Sequence, residues 1–287
     1  MTHDQAANLR RKLALSSNSR QAKTLCVISG KGGVGKSNIA LNFSLELINE
    51  GKKVLIIDLD VGMGNIDILL GLHAKKSIFD LFNESESIHD IIELGPKNLG
   101  FISGGSGISE FFSLNDEKKE HFYKQYNDVV QMYDYILFDM GAGVTKESLF
   151  FILAADECIV VTTPEPTSIM DAYSAIKFVK NKNREMSISV VMNRASSQKE
   201  GEQSLERFKE VVSQFLQIEI EKLGILPEDK SVSKSVINQT PFILFNGKSK
   251  ISKAMQELTY NYLNNAKERS MKETSFIQRL KQLLLER

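Results

Sequence analysis

From Thr24 onward, short apolar runs alternate with longer stretches in which apolar residues recur every three or four positions. The runs Leu25 to Ser29, Val54 to Asp58, Leu99 to Ser103, Tyr135 to Asp139, Cys158 to Thr162, Ile188 to Asn193 and Ile218 to Leu226 are mostly continuous, as parallel strands covered on both faces should be. The spacing predicts helices over Asn38 to Ile48, Lys118 to Met132, Lys146 to Leu153, Ile169 to Lys180, Gln203 to Phe215 and Lys248 to Glu268. Such alternation implies an α/β fold: a doubly wound, mostly parallel sheet flanked by helices, with ligands at the carboxyl ends of the strands. The polar clusters that could carry chemistry each fall just after a strand.

The two ends depart from this pattern. Residues 1–22 hold a short helical spacing (Ala6, Leu9, Leu13) that Asp4 can cap, with Arg10, Arg11, Lys12 and Arg20 facing elsewhere; a frayed basic tail is the plainer reading. In residues 275–287, Phe276, Leu280, Leu283, Leu284 and Arg287 share one helical face, with Arg279 and Lys281 outside it. A terminal helix of this kind docks on its own domain or lies on a membrane surface, and the polar stretch before it, Asn264 to Thr274, favours a tethered membrane role. The chain divides into an extension over 1–22, a domain over 23–268, and a linker with an amphipathic helix over 269–287.

The densest chemical signal is Gly30-Lys31-Gly32-Gly33-Val34-Gly35-Lys36-Ser37, between an apolar run and the helical run that opens at Asn38. Glycines let the backbone turn its N–H groups onto phosphate oxygens, a lysine supplies a point charge for the β and γ phosphates, and a serine hydroxyl can ligate Mg²⁺. Lys36 and Ser37 fill those roles. Lys31 is surplus to a phosphate cradle and calls for a separate purpose.

Other strands end in polar groups too. Asp58-Leu59-Asp60 places two carboxylates one residue apart, on one face and toward the same site, where acids need water, metal or a lysine. Either acid, Asp58 or Asp60, could act there. Asp139-Met140-Gly141-Ala142-Gly143 offers a carboxylate for Mg²⁺ through its water shell and a loop able to approach a third phosphate. Asn193-Arg194 and Pro227-Glu228-Asp229 suit the edge and face of a purine, although plain loops are the alternative.

Composition narrows the function. Lysine plus arginine and aspartate plus glutamate each number 36, so no global basic field argues for nucleic-acid binding. Cys26 and Cys158 lie in separate apolar runs, which argues against a disulfide framework, a zinc site or a paired-cysteine iron–sulfur site. The four histidines are scattered and read as solvated. No signal-peptide core and no span of membrane-crossing length is evident, so a cytoplasmic protein is expected.

The phosphate loop with its extra lysine, Asp58-x-Asp60, Asp139-x-Gly141, Asn193-Arg194 and Pro227-Glu228-Asp229, in that order, resemble the MinD/ParA class of ATPases over Thr24 to Glu268. The resemblance implies slow, dimerisation-dependent hydrolysis of ATP with Mg²⁺. By resemblance, Lys31 crosses to the partner's nucleotide in a homodimer, Asp60 positions the attacking water, and Ser37, Asp60 and Asp139 serve the metal. Residues Gly30 to Asn38, Gly141, Asn193, Arg194 and Pro227 to Asp229 hold the nucleotide; similar Asn-Arg and Pro-Glu-Asp positions frame adenine in that class, which favours ATP over GTP, and no Asn-Lys-x-Asp guanine motif is present. Asp4-Gln5-Ala6-x-x-Leu9-Arg10 looks like the activator segment of the flagellar number-and-placement regulators, the FlhG group, also called YlxH or FleN. That likeness implies that residues 1–22 stimulate an FlhF-type signal-recognition GTPase, with Gln5 or an arginine as the offered group. It also implies contact with flagellar C-ring proteins of the FliM/FliN type, and an ATP-bound dimer on membrane lipids through residues 275–287 at the inner face of the cell membrane. MinD-type division-site control and ParA-type cargo positioning are the alternatives, and a metabolic or metal-inserting ATPase a more distant one.

Overall fold

The computed structural model describes residues 21–60, 64–82, 86–104, 111–112, 114–265 and 274–286. The proposed activator sequence (residues 1–20), Val61 to Met63 of the Asp58-x-Asp60 loop, residues 266–273 of the linker and Arg287 therefore lie outside the described residues.

Eight strands form one sheet in the order β3-β4-β2-β5-β1-β6-β7-β8: β1 (Lys23–Ser29), β2 (Val54–Leu59), β3 (Glu93–Leu94), β4 (Gly100–Ile102), β5 (Tyr135–Ala142), β6 (Glu157–Thr162), β7 (Ser187–Ala195) and β8 (Glu221–Pro227). All neighbours run parallel except β3 with β4. The sheet buries both faces, which is why its strands read as continuous apolar runs. Along β1, Cys26 and Ile28 join one core while Leu25 and Val27 join the other.

Helices α1 (Lys36–Asn49), α2 (Ile66–Leu70), α9 (Phe242–Phe245) and α10 (Lys250–Asn265) contribute to the Leu25 face. The Cys26 face is covered by α3 (Ile88–Ile91), α4 (Asp116–Val129), α5 (Lys146–Ala154), α6 (Pro166–Lys182), α7 (Gln198–Leu216) and α11 (Phe276–Leu285). Helix α8 (Lys230–Ile237) follows β8 at the carboxyl edge of the sheet. The pattern does not announce β3, α2, α3, α8 or α9, which are too short for a period to register. Helix α7 starts five residues before the expected Gln203, because Ser197 caps a polar first turn by accepting from the Glu200 N–H. The predicted strand at Ile218 begins at Glu221 instead; Ile218 and Ile220 are buried just ahead of it.

The terminal helix α11 is docked. A capping box starts it, with Gln278 N–H donating to Ser275 Oγ at 3.2 Å and Ser275 N–H to Gln278 Oε1 at 2.8 Å. Phe276, Ile277 and Leu280 are buried in the Cys26-face core, and Phe276 sits 4.9 Å from Tyr126 and 5.2 Å from Phe138, centroid to centroid. Burying three such side chains contributes on the order of 5 kcal/mol before ordering costs. The covered face includes Ile277, which the expected apolar face left out. Arg279, expected outside that face, pairs at 2.7 Å with Asp156, both groups being nearly buried.

Candidate functional site

Strand β1 delivers the chain to the phosphate loop at the carboxyl edge. Gly33 and Gly35 have φ of 79° and 94°, the left-handed region that glycine enters without a Cβ penalty. Gly30 is required for a different reason: a Cβ there would lie 2.1 Å from the Asp171 carbonyl carbon on α6. Helix α1 starts with Gly35 as its N-cap, without a side-chain cap and without an acid in its first turn. Its first N–H groups and its dipole therefore face the loop, an arrangement suited to an anion.

Lys36 is 6% exposed and donates to Asp139 Oδ1 at 2.5 Å and to Ser37 Oγ at 3.4 Å. Asp139 is fully buried, and its Oδ2 has no hydrogen-bond partner. A buried carboxylate oxygen without a partner is costly unless a cation or water completes it. That atom, on a carboxylate linked through the Lys36 ammonium to the Ser37 hydroxyl, fits a hydrated Mg²⁺, which prefers one or two protein oxygens and keeps several waters. Strand β5 runs three residues past its expected end, pairing Ala142 with Ser29, and Gly143 N–H donates to the Ser29 carbonyl at 2.9 Å. The loop after Asp139 is thereby tied to the phosphate loop.

The two acids of Asp58-x-Asp60 do different things, which corrects the expectation that both turn toward the site. Asp58 stands opposite Asp139 on paired strands and is 1% exposed. Its carboxylate accepts from the backbone N–H groups of Asp60 at 2.9 Å, Asn65 at 2.8 Å and Ile66 at 3.3 Å. Desolvation, helped by repulsion from Asp139, pushes its pKa up to about 6 against the pull of those three donors. Asp60 instead lines the open cleft, so close over Gly141 that a Cβ there would come within 3.2 Å of Asp60 Oδ1. Partial burial raises its pKa; the Lys36 charge works in the opposite direction, and Asp139 adds to the rise.

Asn193 is buried and donates its amide to the Val34 carbonyl at 2.8 Å, so it braces the phosphate loop. Arg194 follows with φ 56° and is exposed. Glu228 N–H donates to Ala195 O at 2.9 Å, bringing the ends of β7 and β8 together. Asp229 caps α8 by accepting from Ser231 N–H at 2.8 Å and also takes Ile251 N–H at 3.3 Å. Burial works against ionisation of Asp229, but these donors outweigh it and lower its pKa.

A cleft of about 1540 Å³ joins Gly32, Gly33, Gly35, Lys36, Ser37, Asn38, Asp60, Gly141, Asn193, Arg194 and Pro227 to Asp229. Four predicted residues stand apart from its lining. Gly30 packs on α6, Val34 is in the core, Asp139 lies beneath Lys36, and Lys31 points to the start of α6. Lys31 Nζ is 3.7 Å from Glu165 and donates to Thr167 Oγ1 at 3.4 Å, both ion-pair members being substantially exposed. Thr145, Glu147, Ser196 and Lys230 also line the cleft. No spacing marks them, because they come from the start of α5, the end of β7 and the start of α8, which only the sheet brings together.

A phosphate loop between the central strand and its helix, with a buried Lys–Asp pair beneath it, defines a P-loop nucleoside triphosphatase. A ParA family model, described as NUBPL iron-transfer P-loop NTPase, matches residues 20–263. Antiactivator FleN of Pseudomonas aeruginosa is 32% identical over 76% of this chain and 78% of its own length. Flagellum site-determining protein YlxH of Helicobacter pylori is 32% identical over 82% of this chain and 80% of its own. In structure, a chain of the MinC:MinD cell division protein complex of Aquifex aeolicus superposes with TM-score 0.70 at 25% identity, covering 85% of this chain and 96% of that one. This chain belongs to the ParA/MinD family of P-loop NTPases, whose members are generally ATPases. The iron transfer in the family model's description finds no thiol pair at the surface here. Cys26 and Cys158 face each other in register across β1 and β6, fully buried, and desolvation holds the Cys158 thiol far above its ordinary pKa.

Proposed function

We propose that this protein is an ATP-hydrolysing switch that dimerises around its nucleotide and regulates the number and placement of flagella. The observation that carries the switch is the division of labour between two lysines on one loop. Lys36 is buried on Asp139 inside the cleft, whereas Lys31 lies outside it and is half exposed. A cation that cannot serve its own cleft from where it stands is placed to serve that of a second copy. Flagellar regulation is supported by FleN and YlxH, both 32% identical over most of the chain.

In this reading Lys36 and the α1 N-terminus hold the phosphates, Ser37 and Asp139 hold Mg²⁺ with its waters, and Asn193, Arg194 and the Pro227 to Asp229 loop hold adenine. Mg²⁺, when bound there, would supply charge neutralisation to the phosphates. Asp60 orients a water for in-line attack, and loss of the γ-phosphate contacts opens the dimer. Hydrolysis is slow and follows dimerisation. Residues 1–22 meet an FlhF-type GTPase and stimulate it, C-ring proteins of the FliM/FliN type are further partners, and residues 275–287 reach the inner face of the cell membrane once α11 leaves its groove.

Asp60→Ala tests the core of this reading. The variant should bind ATP, lose hydrolysis by at least about 100-fold, and accumulate as a dimer on a sizing column; a monomer with ATP bound would refute the switch. A division-site role is the second reading, favoured by septum site-determining MinD of Thermotoga maritima at 30% identity over 82% of the chain. Counting flagella and misplaced septa in a strain lacking the protein separates the two.

A further inference from the structure

The structure ties the two ends of the chain to the same two side chains. Asp156, in the turn between α5 and β6, accepts from the Thr24 N–H through Oδ2 at 2.8 Å and from Arg279 through Oδ1 at 2.7 Å. Asp156 N–H returns a bond to the Thr24 carbonyl at 2.9 Å, and Arg279 Nε donates to the Ala154 carbonyl at 2.6 Å. Tyr126 on α4 is the second shared partner. Its hydroxyl is 3.2 Å from Thr24 Oγ1, and its ring is 4.9 Å from that of Phe276. Ala22, where the N-terminal extension joins the domain, is buried in the same core as Phe276 and bonds through its N–H to Val130 at 2.8 Å.

We propose that α11 and residues 22–24 form one coupled clamp, in which docking of α11 fixes the root of the N-terminal extension and release of α11 frees it. The physical chain is short. When α11 leaves, the guanidinium that orients the Asp156 carboxylate goes with it, and the cover over the Tyr126 ring is removed. Water then reaches Asp156 and Tyr126, whose side chains hold Thr24 in addition to the pairing of β1 with β5. Because both segments draw on one pair of partners, the coupling is reciprocal: what loosens residues 22–24 loosens α11 by the same free energy. Membrane capture of α11 would thereby be felt at the N-terminus, on the face of the domain remote from the nucleotide. This use in the cell rests on the membrane reading above; the clamp itself does not.

Amide hydrogen exchange on the full chain tests it. Arg279→Ala should speed exchange in residues 22–26 about tenfold, together with residues 276–283. Arg279→Lys, which keeps the charge and loses the fork, should give a smaller rise. In the converse direction, Thr24→Val, which removes only the hydroxyl bond to Tyr126, should speed exchange in residues 276–283. Exchange changes confined to the mutated segment in either direction would overturn the clamp. Vesicles of anionic phospholipid, added with ATP and Mg²⁺ and compared with ATP and Mg²⁺ alone, supply the distinguishing arm. If they raise exchange at both ends, the clamp and the membrane reading stand together. If they leave both ends unchanged while the variants couple them, the clamp stands and the membrane reading falls.

Discussion

Lys36 and Asp139 form an ion pair at 2.5 Å, 103 positions apart in sequence, and both are almost wholly withdrawn from solvent. Such a pair gains little net stability as a unit, but removing one member leaves an uncompensated buried charge. Asp139→Ala should therefore cost about 3–5 kcal/mol in chemical denaturation, and adding Lys36→Met should recover much of that loss. A double variant no more stable than Asp139→Ala would show that the lysine is not the group being stranded.

Asp58 gives a pH signature. Its carboxyl ionises at an ordinary 3.8 when unfolded and near 6 when folded. Between those values the folded chain holds the extra proton, so this group's contribution to stability falls as pH rises from about 4 to about 6 and stays low above. The difference is worth about 3 kcal/mol. Asp58→Asn removes the titration while leaving one acceptor for the loop amides. The stability gap between the wild type and this variant should shift in the wild type's favour by about 2 kcal/mol between pH 7 and pH 4; a gap independent of pH would show that Asp58 does not carry the shift.

Gly30 and Gly32 separate steric need from mere loop composition. A methyl at Gly30 meets the α6 backbone at 2.1 Å, whereas one at Gly32 meets only the Ala142 Cβ at 3.7 Å. Gly30→Ala should lower stability by about 1–3 kcal/mol and displace the loop enough to abolish nucleotide binding in calorimetry. Gly32→Ala should leave stability within about 0.5 kcal/mol.

Lys31 should behave oppositely to Lys36. Its contact with Glu165 is long and solvent-exposed, so Lys31→Ala should change stability by less than about 0.5 kcal/mol. ATP binding by the monomer should persist while turnover is lost. Loss of monomer binding would place Lys31 in its own cleft after all.

The glycine-rich turn between a strand and a helix, and seven of the eight strands described, were legible in the sequence, because each is a local property. Glycine, lysine and serine at fixed offsets make a phosphate loop wherever a strand feeds a helix, and a strand buried on both faces must be apolar throughout. The same local reasoning reached Asp60 and Asp139 as acids at strand ends. It could not divide Asp58 from Asp60, since period-two geometry puts both on one face; the division depends on the loop that folds back and spends its amides on Asp58. Nor could it find Thr145, Glu147, Ser196 and Lys230, which become neighbours of the phosphate loop only through strand pairing. The amphipathic end shows the limit most clearly. Spacing established that Phe276 and Leu280 need an apolar surface, because an amphipathic face says what it must bury. Only the tertiary structure decided which surface that is, because Tyr126, Phe138 and Asp156 sit on α4, on β5 and in the turn before β6, and form a groove solely once these elements pack together.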